Sequence, residues 1–306
     1  MGASAGGIEA CCIVFRHLPA DLPASVLIAQ HVGRASELAD VLAKCGPLKV
    51  ATASDDERLV RRKAYVAPSD QHLLVEHGRV KVSRGPRENR QRPSVDVLFR
   101  SAARIYRSRV IAVILSGALD DGSAGVFAVK QRGGVVVVQD PRSARFPSMP
   151  ENALRAAKAD YCLPVDEIAA VVIKLVHEGT AMPKRKKMRS ATRSSRRVSP
   201  DSGAAPFVCP ECSGPLFPDR EGPPGQLACL VGHSFAPESL SEAHRDALER
   251  ALLTTMRLLQ ERAGLHKHLA SATLAGGNGR SKERFQECAE SADKDVALLR
   301  EILERI

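Results

Sequence analysis

A glycine-rich segment near the first residue contains a serine in a pattern found in serine hydrolases. Residues 2–7 are GASAGG, a G-x-S-x-G pattern in which small residues let the backbone turn sharply and present Ser4 to a substrate. The backbone N–H groups of Ala5 and Gly6 would then face a developing oxyanion. A tight turn or a phosphate-binding loop has a similar composition, so the pattern alone leaves those interpretations open.

Candidate partners for this serine follow two predicted strands. His31 comes directly after the apolar run SVLIAQ, and Asp120 and Asp121 lie in SGALDDGSAG, which follows VIAVIL. The carboxyl ends of parallel strands lie along one edge of a sheet, so these side chains are expected near Ser4. A serine, a histidine base and an orienting carboxylate together form a nucleophilic triad. The alternatives are a strand-end histidine and an aspartate that caps the next helix.

A second cluster of chemically active residues lies in residues 207–237. Cys209, Cys212, Cys229 and His233 have the spacing C-x2-C-x16-C-x3-H, which suits tetrahedral Zn²⁺. This short segment is rich in Pro and Gly and has little apolar sequence, so we expect one structural zinc ion to fold it. No cofactor is expected to take part in catalysis, and metal binding and catalysis are expected to be separable.

The triad residues must be held by regular elements, and the first 177 residues alternate strands with helices. This alternation predicts a doubly wound, mostly parallel α/β sheet. The predicted strands are 25–30, 64–67, 110–115 and 135–139, with a further hairpin in HLLVEHGRVKVS that turns at HG. The predicted helices are 7–16, 36–44, 95–105, 125–131 and 166–177.

The remaining residues are divided by composition. Residues 178–206 lack apolar periodicity, which predicts a flexible basic linker between a catalytic domain (1–177) and a zinc-binding knuckle (207–237). Helical periodicity returns in 238–306 and is interrupted by AGGNG, which predicts a helical hairpin.

The net charge of +10 could suggest a nucleic-acid partner. However, residues 179–205 contain eight Lys or Arg and one Asp, so most of the excess lies in the predicted linker. That segment has no aromatic residue on which bases could stack. We therefore expect a solvated tether and no nucleic-acid partner.

Composition also limits the cellular location. The chain has 306 residues, 44% of them hydrophobic, yet it contains no apolar run of the roughly 20 residues that a membrane helix needs. Its first residues, MGASAGGIEACC, do not resemble a secretory signal. We expect a cytoplasmic protein with reduced thiols, in which Cys11 and Cys12 are small core residues.

Seven sequence segments together resemble the catalytic domain of the chemotaxis protein-glutamate methylesterases. In order, they are GASAGGIEA, QHVG, YVAPSDQHLLV, GPRENRQRPSVDVLF, VILSGALDDGSAG, GGVVVVQDP and FPSMPENAL. The resemblance covers about residues 1–177. It implies a doubly wound α/β fold and a serine esterase that demethylates receptor glutamates and can deamidate glutamines.

The same resemblance implies roles for individual residues. The serine nucleophile of the family matches Ser4, its histidine matches His31, and its aspartate matches Asp121 rather than Asp120. The implied partner is a methylated chemoreceptor or a similar signalling protein, with a methyltransferase or kinase of the same pathway as further partners. Many family members carry a receiver domain before the esterase and this chain does not, so activation by phosphorylation in that form is not expected.

The position of Ser4 raises a physical problem. A nucleophile of this kind follows a strand, yet three residues precede Ser4, so the first strand is expected to be truncated. We expect an apolar strand to be encoded upstream of Met1. If the triad were damaged, the alternative would be a non-catalytic signalling adaptor. A zinc-ribbon nucleic-acid binder ranks third because only the charge of the linker supports it.

Overall fold

The computed structural model describes residues 1–31, 37–179, 207–220, 222–272 and 279–305. The chain forms two compact units, Met1–Leu240 and Ser241–Ile306. The predicted linker at 178–206 lies outside the described residues except for its first two positions.

The first unit is built on a seven-stranded parallel sheet with the order β3-β4-β2-β1-β7-β8-β9. The strands are β1 Gly2–Ala3, β2 Ser25–Gln30, β3 Lys49–Thr52, β4 Lys63–Val66, β7 Ile111–Ile114, β8 Val135–Gln139 and β9 Tyr161–Leu163. An antiparallel hairpin, β5 His72–Glu76 and β6 Arg79–Ser83, lies outside this sheet. The central strands are largely apolar because a parallel sheet is covered on both faces.

In the part of the chain that the structure describes, six α-helices cover the two faces of the sheet. They are α1 Gly7–His17, α2 Leu38–Cys45, α3 Val95–Tyr106, α4 Ser123–Gln131, α5 Ser148–Ala156 and α6 Val165–His177. One apolar core joins the sheet to α1, α2 and α6, and a second core on the other face joins it to α3, α4 and α5. The predicted doubly wound α/β fold is confirmed, whereas β3, β9 and α5 were not predicted from the sequence.

The first strand is short but central. β1 has two residues, which pair with Ala29, Gln30 and Ile114 at the carboxyl ends of β2 and β7. The amino-terminal halves of β2 and β7 instead line a cavity of about 520 Å³. Helices from both faces of the sheet, α1, α3 and α6, also line it. The cavity therefore crosses the plane of the sheet in line with β1.

This cavity leads to a stability prediction. We expect an amino-terminal extension of four apolar β-branched residues to raise the melting temperature, because each buried side chain contributes roughly 1.5–3 kcal/mol and the new strand would pair on both edges. Thermal unfolding followed by circular dichroism measures the change. A Gly-Ser-Gly-Ser extension is the matched control, and equal melting temperatures for the two extensions would show that the cavity does not accept a strand.

A cysteine-rich segment, defined here as residues 207–240, also belongs to the first unit. It contains a small antiparallel sheet of β10 Leu216–Pro218, β11 Leu227–Cys229 and β12 Ser234–Phe235. A long helix, α7 (Pro237–Ala272), begins in this segment and continues into the second unit.

The second unit contains α8 (Gly279–Leu303) and the remainder of α7, which confirms the predicted helical hairpin. Buried small and apolar residues form a seam between the two helices: Met256, Ala263 and Ala270 on α7, and Ala289, Ala292 and Val296 on α8. Lys267 Nζ donates to Asp293 Oδ2 over 2.7 Å beside this seam. None of the described helices is long and apolar enough to cross a membrane.

The cysteines near the amino terminus differ from the expectation. Cys11 is buried, as predicted, but Cys12 forms a disulfide with Cys45 rather than remaining a free thiol. The pairing joins α1 to the end of α2. Spacing alone could not indicate it, because the two residues are 33 positions apart.

Candidate active site

The three residues predicted as a triad lie side by side. His31 Nδ1 is 3.0 Å from Ser4 Oγ, and His31 Nε2 is 2.7 Å from Asp121 Oδ2. The imidazole is largely enclosed and the Asp121 side chain is 2% exposed. Since an ionised carboxylate can only accept hydrogen bonds, the geometry fits a proton on Nε2 and leaves Nδ1 free to accept the serine proton.

Sheet order explains why these distant residues meet. β1 lies between β2 and β7, so the carboxyl ends of the three strands are adjacent on one edge. Ser4 and His31 follow β1 and β2, and Asp121 lies in the loop between β7 and α4. Active sites of open α/β sheets form at such an edge.

The turn at Ser4 has the geometry of a tight strand-to-helix connection. Ser4 N–H donates to Ser116 O, and Gly7 N–H donates to Ser4 O. Gly6 has a φ of 69°, and a Cβ there would lie 2.9 Å from Ser116 Oγ, so glycine is required. Within the described parts of the chain, the N–H groups of Ala5 and Gly6 have no acceptor, so they could bind an oxyanion.

Two buried polar residues that the sequence did not indicate support this turn. Gln30 Nε2 donates to Ser4 O and His31 O, which fixes the two chain segments relative to each other. Ser116 Oγ donates to Ala5 O, and its N–H donates to Gln139 Oε1. A polar side chain at the end of an apolar strand is the only sequence signal for either residue.

Asp121 is surrounded by hydrogen-bond donors at the start of α3. Its oxygens accept from the backbone N–H groups of Val95 and Asp96, from Ser94 Oγ and from Asn89 Nδ2. Burial by itself would raise the pKa of Asp121, but the hydrogen bond and charge of His31 and these donors hold the pKa below its usual range. Asp121 is therefore ionised at neutral pH and can orient an imidazole.

A second buried carboxyl group lies beside the triad. Asp96 accepts from Gly125 N–H and from the same Asn89 amide that donates to Asp121. Burial, together with the charge of Asp121, raises the pKa of Asp96 to about 8. Of the two neighbouring carboxyl groups, Asp121 is charged and Asp96 holds a proton at neutral pH.

The raised pKa of Asp96 predicts how stability changes with pH. Above the ordinary value of 3.8 and below about 8, the folded protein holds a proton on Asp96 that the unfolded chain has lost. Rising pH therefore lowers the free energy of unfolding across this window, with a slope of up to about 1.4 kcal/mol per pH unit from this group. We expect Asp96→Asn to reduce the slope.

Urea unfolding at several values between pH 5 and pH 9 measures this dependence. The exposed carboxyl of Asp166 provides the control variant Asp166→Asn, which should keep the wild-type slope. Equal slopes for wild type and Asp96→Asn would mean that Asp96 is ionised in the folded protein at neutral pH.

The neighbouring Asp120 makes different contacts. Its carboxylate accepts from the N–H groups of Glu238 and Ser239 and from Ser239 Oγ, all at the start of α7. Burial raises the pKa of Asp120, and these hydrogen bonds oppose the shift. Of these two adjacent aspartates, Asp120 therefore contacts the cysteine-rich segment and Asp121 contacts His31.

His72 is another residue with a role that the sequence did not indicate. It lies at the start of β5 and is buried. Its Nε2 donates to Pro86 O, and its Nδ1 accepts from Ser94 N–H. Ser94 in turn donates to Asp121, so His72 supports the carboxylate indirectly.

The four residues predicted as metal ligands also come together. The ligand atoms of Cys209, Cys212, Cys229 and His233 lie within 4.8 Å of one another. The Cys212 and Cys229 sulfurs are 3.6 Å apart, and His233 Nδ1 is 3.8 Å from Cys209 Sγ and 3.5 Å from Cys229 Sγ. This donor set suits zinc.

Known proteins resemble the first unit. The family model of the CheB methylesterase matches residues 1–172. A Leptospira interrogans protein is 39% identical over 178 residues, which are 57% of this chain and 92% of that protein. A protein-glutamate methylesterase/protein-glutamine glutaminase of Methanosarcina mazei is 37% identical over 58% of this chain and 51% of its own length. The solved CheB methylesterase catalytic domain of Thermotoga maritima has 34% identity and a TM-score of 0.55, covering 57% of this chain and 95% of that domain.

Proposed function

This chain belongs to the CheB methylesterase family, and we propose that Ser4, His31 and Asp121 hydrolyse methyl esters of glutamate side chains on chemoreceptor-type signalling proteins. The assignment of these residues rests on the continuous set of hydrogen bonds from Ser4 Oγ through His31 to Asp121. The assignment of the reaction rests on the family match over residues 1–172.

The geometry supports a two-step acyl transfer. His31 Nδ1 accepts the Ser4 proton while Ser4 Oγ attacks the ester carbonyl carbon. The N–H groups of Ala5 and Gly6 face the negative charge on the carbonyl oxygen, and Asp121 stabilises the imidazolium. The C–O bond to the methoxy group then breaks, and His31 donates its proton to the leaving oxygen, which releases methanol.

Water completes the cycle. His31 removes a proton from a water molecule, the water oxygen attacks the acyl carbon, and the bond to Ser4 Oγ breaks as His31 returns the proton to serine. The product is a glutamate side chain. A glutamine side chain would follow the same steps with ammonia as the leaving group, which is the basis for proposing glutaminase activity as well.

The surroundings of the triad are consistent with catalysis rather than with a binding role alone. A non-catalytic adaptor would be favoured by a damaged triad, whereas all three side chains are present and hydrogen-bonded. A methyltransferase or a kinase of the same pathway is proposed as a further partner. The reaction is proposed to take place in the cytoplasm.

A single assay tests the proposed function. The purified full chain is incubated with a chemoreceptor fragment carrying glutamate methyl esters, and released methanol is quantified. We expect methanol from the esterified fragment and none from the unesterified fragment. A folded chain that releases no methanol from several methylated receptor fragments would contradict the assignment.

A further inference from the structure

The cysteine-rich segment contacts the loops that hold the triad, although it is far from them in sequence. Residues of the segment donate hydrogen bonds to Asn89 and to Asp120, both of which adjoin Asp121. These contacts bear against the sequence-based expectation that metal binding and catalysis are separable. Their geometry indicates a connection between the two sites.

Three of the six distances between the four ligand atoms match those of a tetrahedral zinc site. Zinc with sulfur at about 2.3 Å and nitrogen at about 2.0 Å would separate neighbouring ligand atoms by roughly 3.5–3.8 Å. The three distances given above, from 3.5 to 3.8 Å, fall in this range. All four positions are filled by the protein, so the site is structural and has no open position for a substrate.

We infer that Cys209, Cys212, Cys229 and His233 bind one zinc ion, and that the segment ordered by this ion positions Asp121 for catalysis. The role in catalysis rests on the proposed esterase function. Asn89 and Asp120 are the two residues through which the segment acts.

Asn89 connects the segment to the triad because every polar atom of its side chain is used. Its Oδ1 accepts from Ala236 N–H over 2.8 Å, and its Nδ2 donates to Asp121 over 3.0 Å and to Asp96 over 2.8 Å. Its backbone N–H also donates to Ser234 O. The residue is 1% exposed, so water does not compete for these bonds.

The Ala236 N–H determines which way the Asn89 amide points. If the amide were rotated by half a turn, its NH₂ group would face the Ala236 N–H and its oxygen would face two carboxyl groups. The Ala236 N–H and the Asp121 carboxylate would then lose these hydrogen bonds, at a cost of about 1–3 kcal/mol for each buried group. When the segment is in place, the amide therefore presents both N–H bonds to Asp121 and Asp96.

Asp120 provides the second connection. Its carboxylate caps the start of α7, where the N–H groups of Glu238 and Ser239 have no partner within the helix. Glu238 in turn accepts from Asn152, whose Nδ2 also donates to Leu119 O. The loop before Asp121 is thus held at two places by the first turn of α7.

The segment has little apolar material with which to fold on its own. Apart from its cysteines, the segment's buried apolar residues among those described are Leu216, Phe217, Ala228, Phe235, Ala236 and Leu240. A segment with so small a core depends on metal ligation for its order. Loss of zinc would release Ala236, Glu238 and Ser239, and Asn89 and Asp120 would lose the groups that orient them.

The test combines zinc removal with a substitution at Asn89 in the full chain. Zinc content is measured with a colorimetric chelator, and turnover is measured with p-nitrophenyl acetate, a small ester that needs no receptor. We expect one zinc ion per chain. Removal of zinc should lower kcat by roughly 10- to 100-fold with a smaller change in KM, since misplacement of a catalytic group slows the chemical step.

Asn89→Ala should lower kcat to a similar extent while keeping the zinc ion. Removal of zinc from Asn89→Ala should then cause much less further loss than it does in wild type, because both changes interrupt the same connection. The proton on His31 Nε2 gives a separate readout by NMR. Its downfield resonance should be present in the zinc-bound chain and lost or broadened in the zinc-free chain.

The matched control is Cys288→Ser, which changes a free cysteine in α8 outside the cluster and should keep both zinc and activity. Cys212→Ser should lose both. The inference is overturned if the chain binds no stoichiometric zinc, if zinc-free protein keeps its kcat and its His31 resonance, or if the effects of zinc removal and Asn89→Ala multiply independently. If the zinc-bound chain shows no turnover, the proposed function is contradicted and not this inference. The inference is then tested by whether the His31 resonance is lost when zinc is removed.

Discussion

Replacing Ser4 with alanine is expected to lower esterase turnover by about 10⁴-fold or more, because the three residues of a triad act as a unit. Removing the hydroxyl removes the atom that attacks the ester and leaves His31 with no proton to accept. A 10⁴-fold loss corresponds to about 5.5 kcal/mol of transition-state stabilisation. Residual hydrolysis would come from binding and from the oxyanion donors of Ala5 and Gly6.

The measurement is methanol release or p-nitrophenyl acetate turnover under the same conditions for both proteins. The fold should survive, since the structural bonds of this turn involve the Ser4 backbone, Gln30 and Ser116 rather than the hydroxyl. His31→Ala should be comparably inactive. Turnover close to wild type in either variant would rule out the serine mechanism.

Replacing Asp121 with asparagine is expected to lower turnover by about 10³- to 10⁴-fold, although the side chain keeps its shape. An asparagine NH₂ facing His31 would donate to Nε2, so the remaining proton of a neutral imidazole would move to Nδ1. A protonated Nδ1 cannot accept from Ser4 Oγ, which lies 3.0 Å away. The substitution therefore selects the wrong tautomer without displacing the ring.

Asp120→Asn is the matched control, because it makes the same chemical change one residue earlier. The structure gives Asp120 contacts with Glu238 and Ser239 and none with His31 among the described residues, so we expect a much smaller loss. Turnover and the melting temperature are measured for both variants, so that a loss of activity can be distinguished from a loss of stability. If Asp120→Asn were the more damaging change, the orienting carboxylate would have been assigned to the wrong residue.

Much of the first unit could be predicted from the sequence because its signals are local. A buried parallel strand must be apolar on both faces, so runs such as VVVVQ indicated β8 with its observed bounds. Strands β3 (KVAT) and β9 (YCL) lie at the two edges of the sheet, are less buried and are too short to show a distinct apolar run. Helix α5 was not predicted because it contains Pro150, follows Pro147 and has a polar face.

The sequence also indicated the residues of the candidate site, because Ser4 lies in the GASAGG pattern and His31 and the two aspartates follow predicted strands. That argument places Ser4, His31 and an aspartate at one edge of the sheet, but periodicity does not give the order of the strands. The resemblance selected Asp121 over Asp120. Tertiary structure supplies the physical reason, because the two adjacent side chains have different partners.

The polar network behind the triad was decided by tertiary structure alone. Gln30, Asn89, Asp96 and His72 are buried polar residues whose partners are distant in sequence, and no local pattern distinguishes such residues from exposed ones. The contact of Asn89 with Ala236 spans 147 residues. Sequence spacing by itself predicted which residues form the cysteine cluster, and their ligand atoms come together in the fold. The contact between this cluster's segment and the triad loops could not be predicted, because it depends on hydrogen bonds between segments that are distant in sequence. Such bonds are set by the tertiary structure.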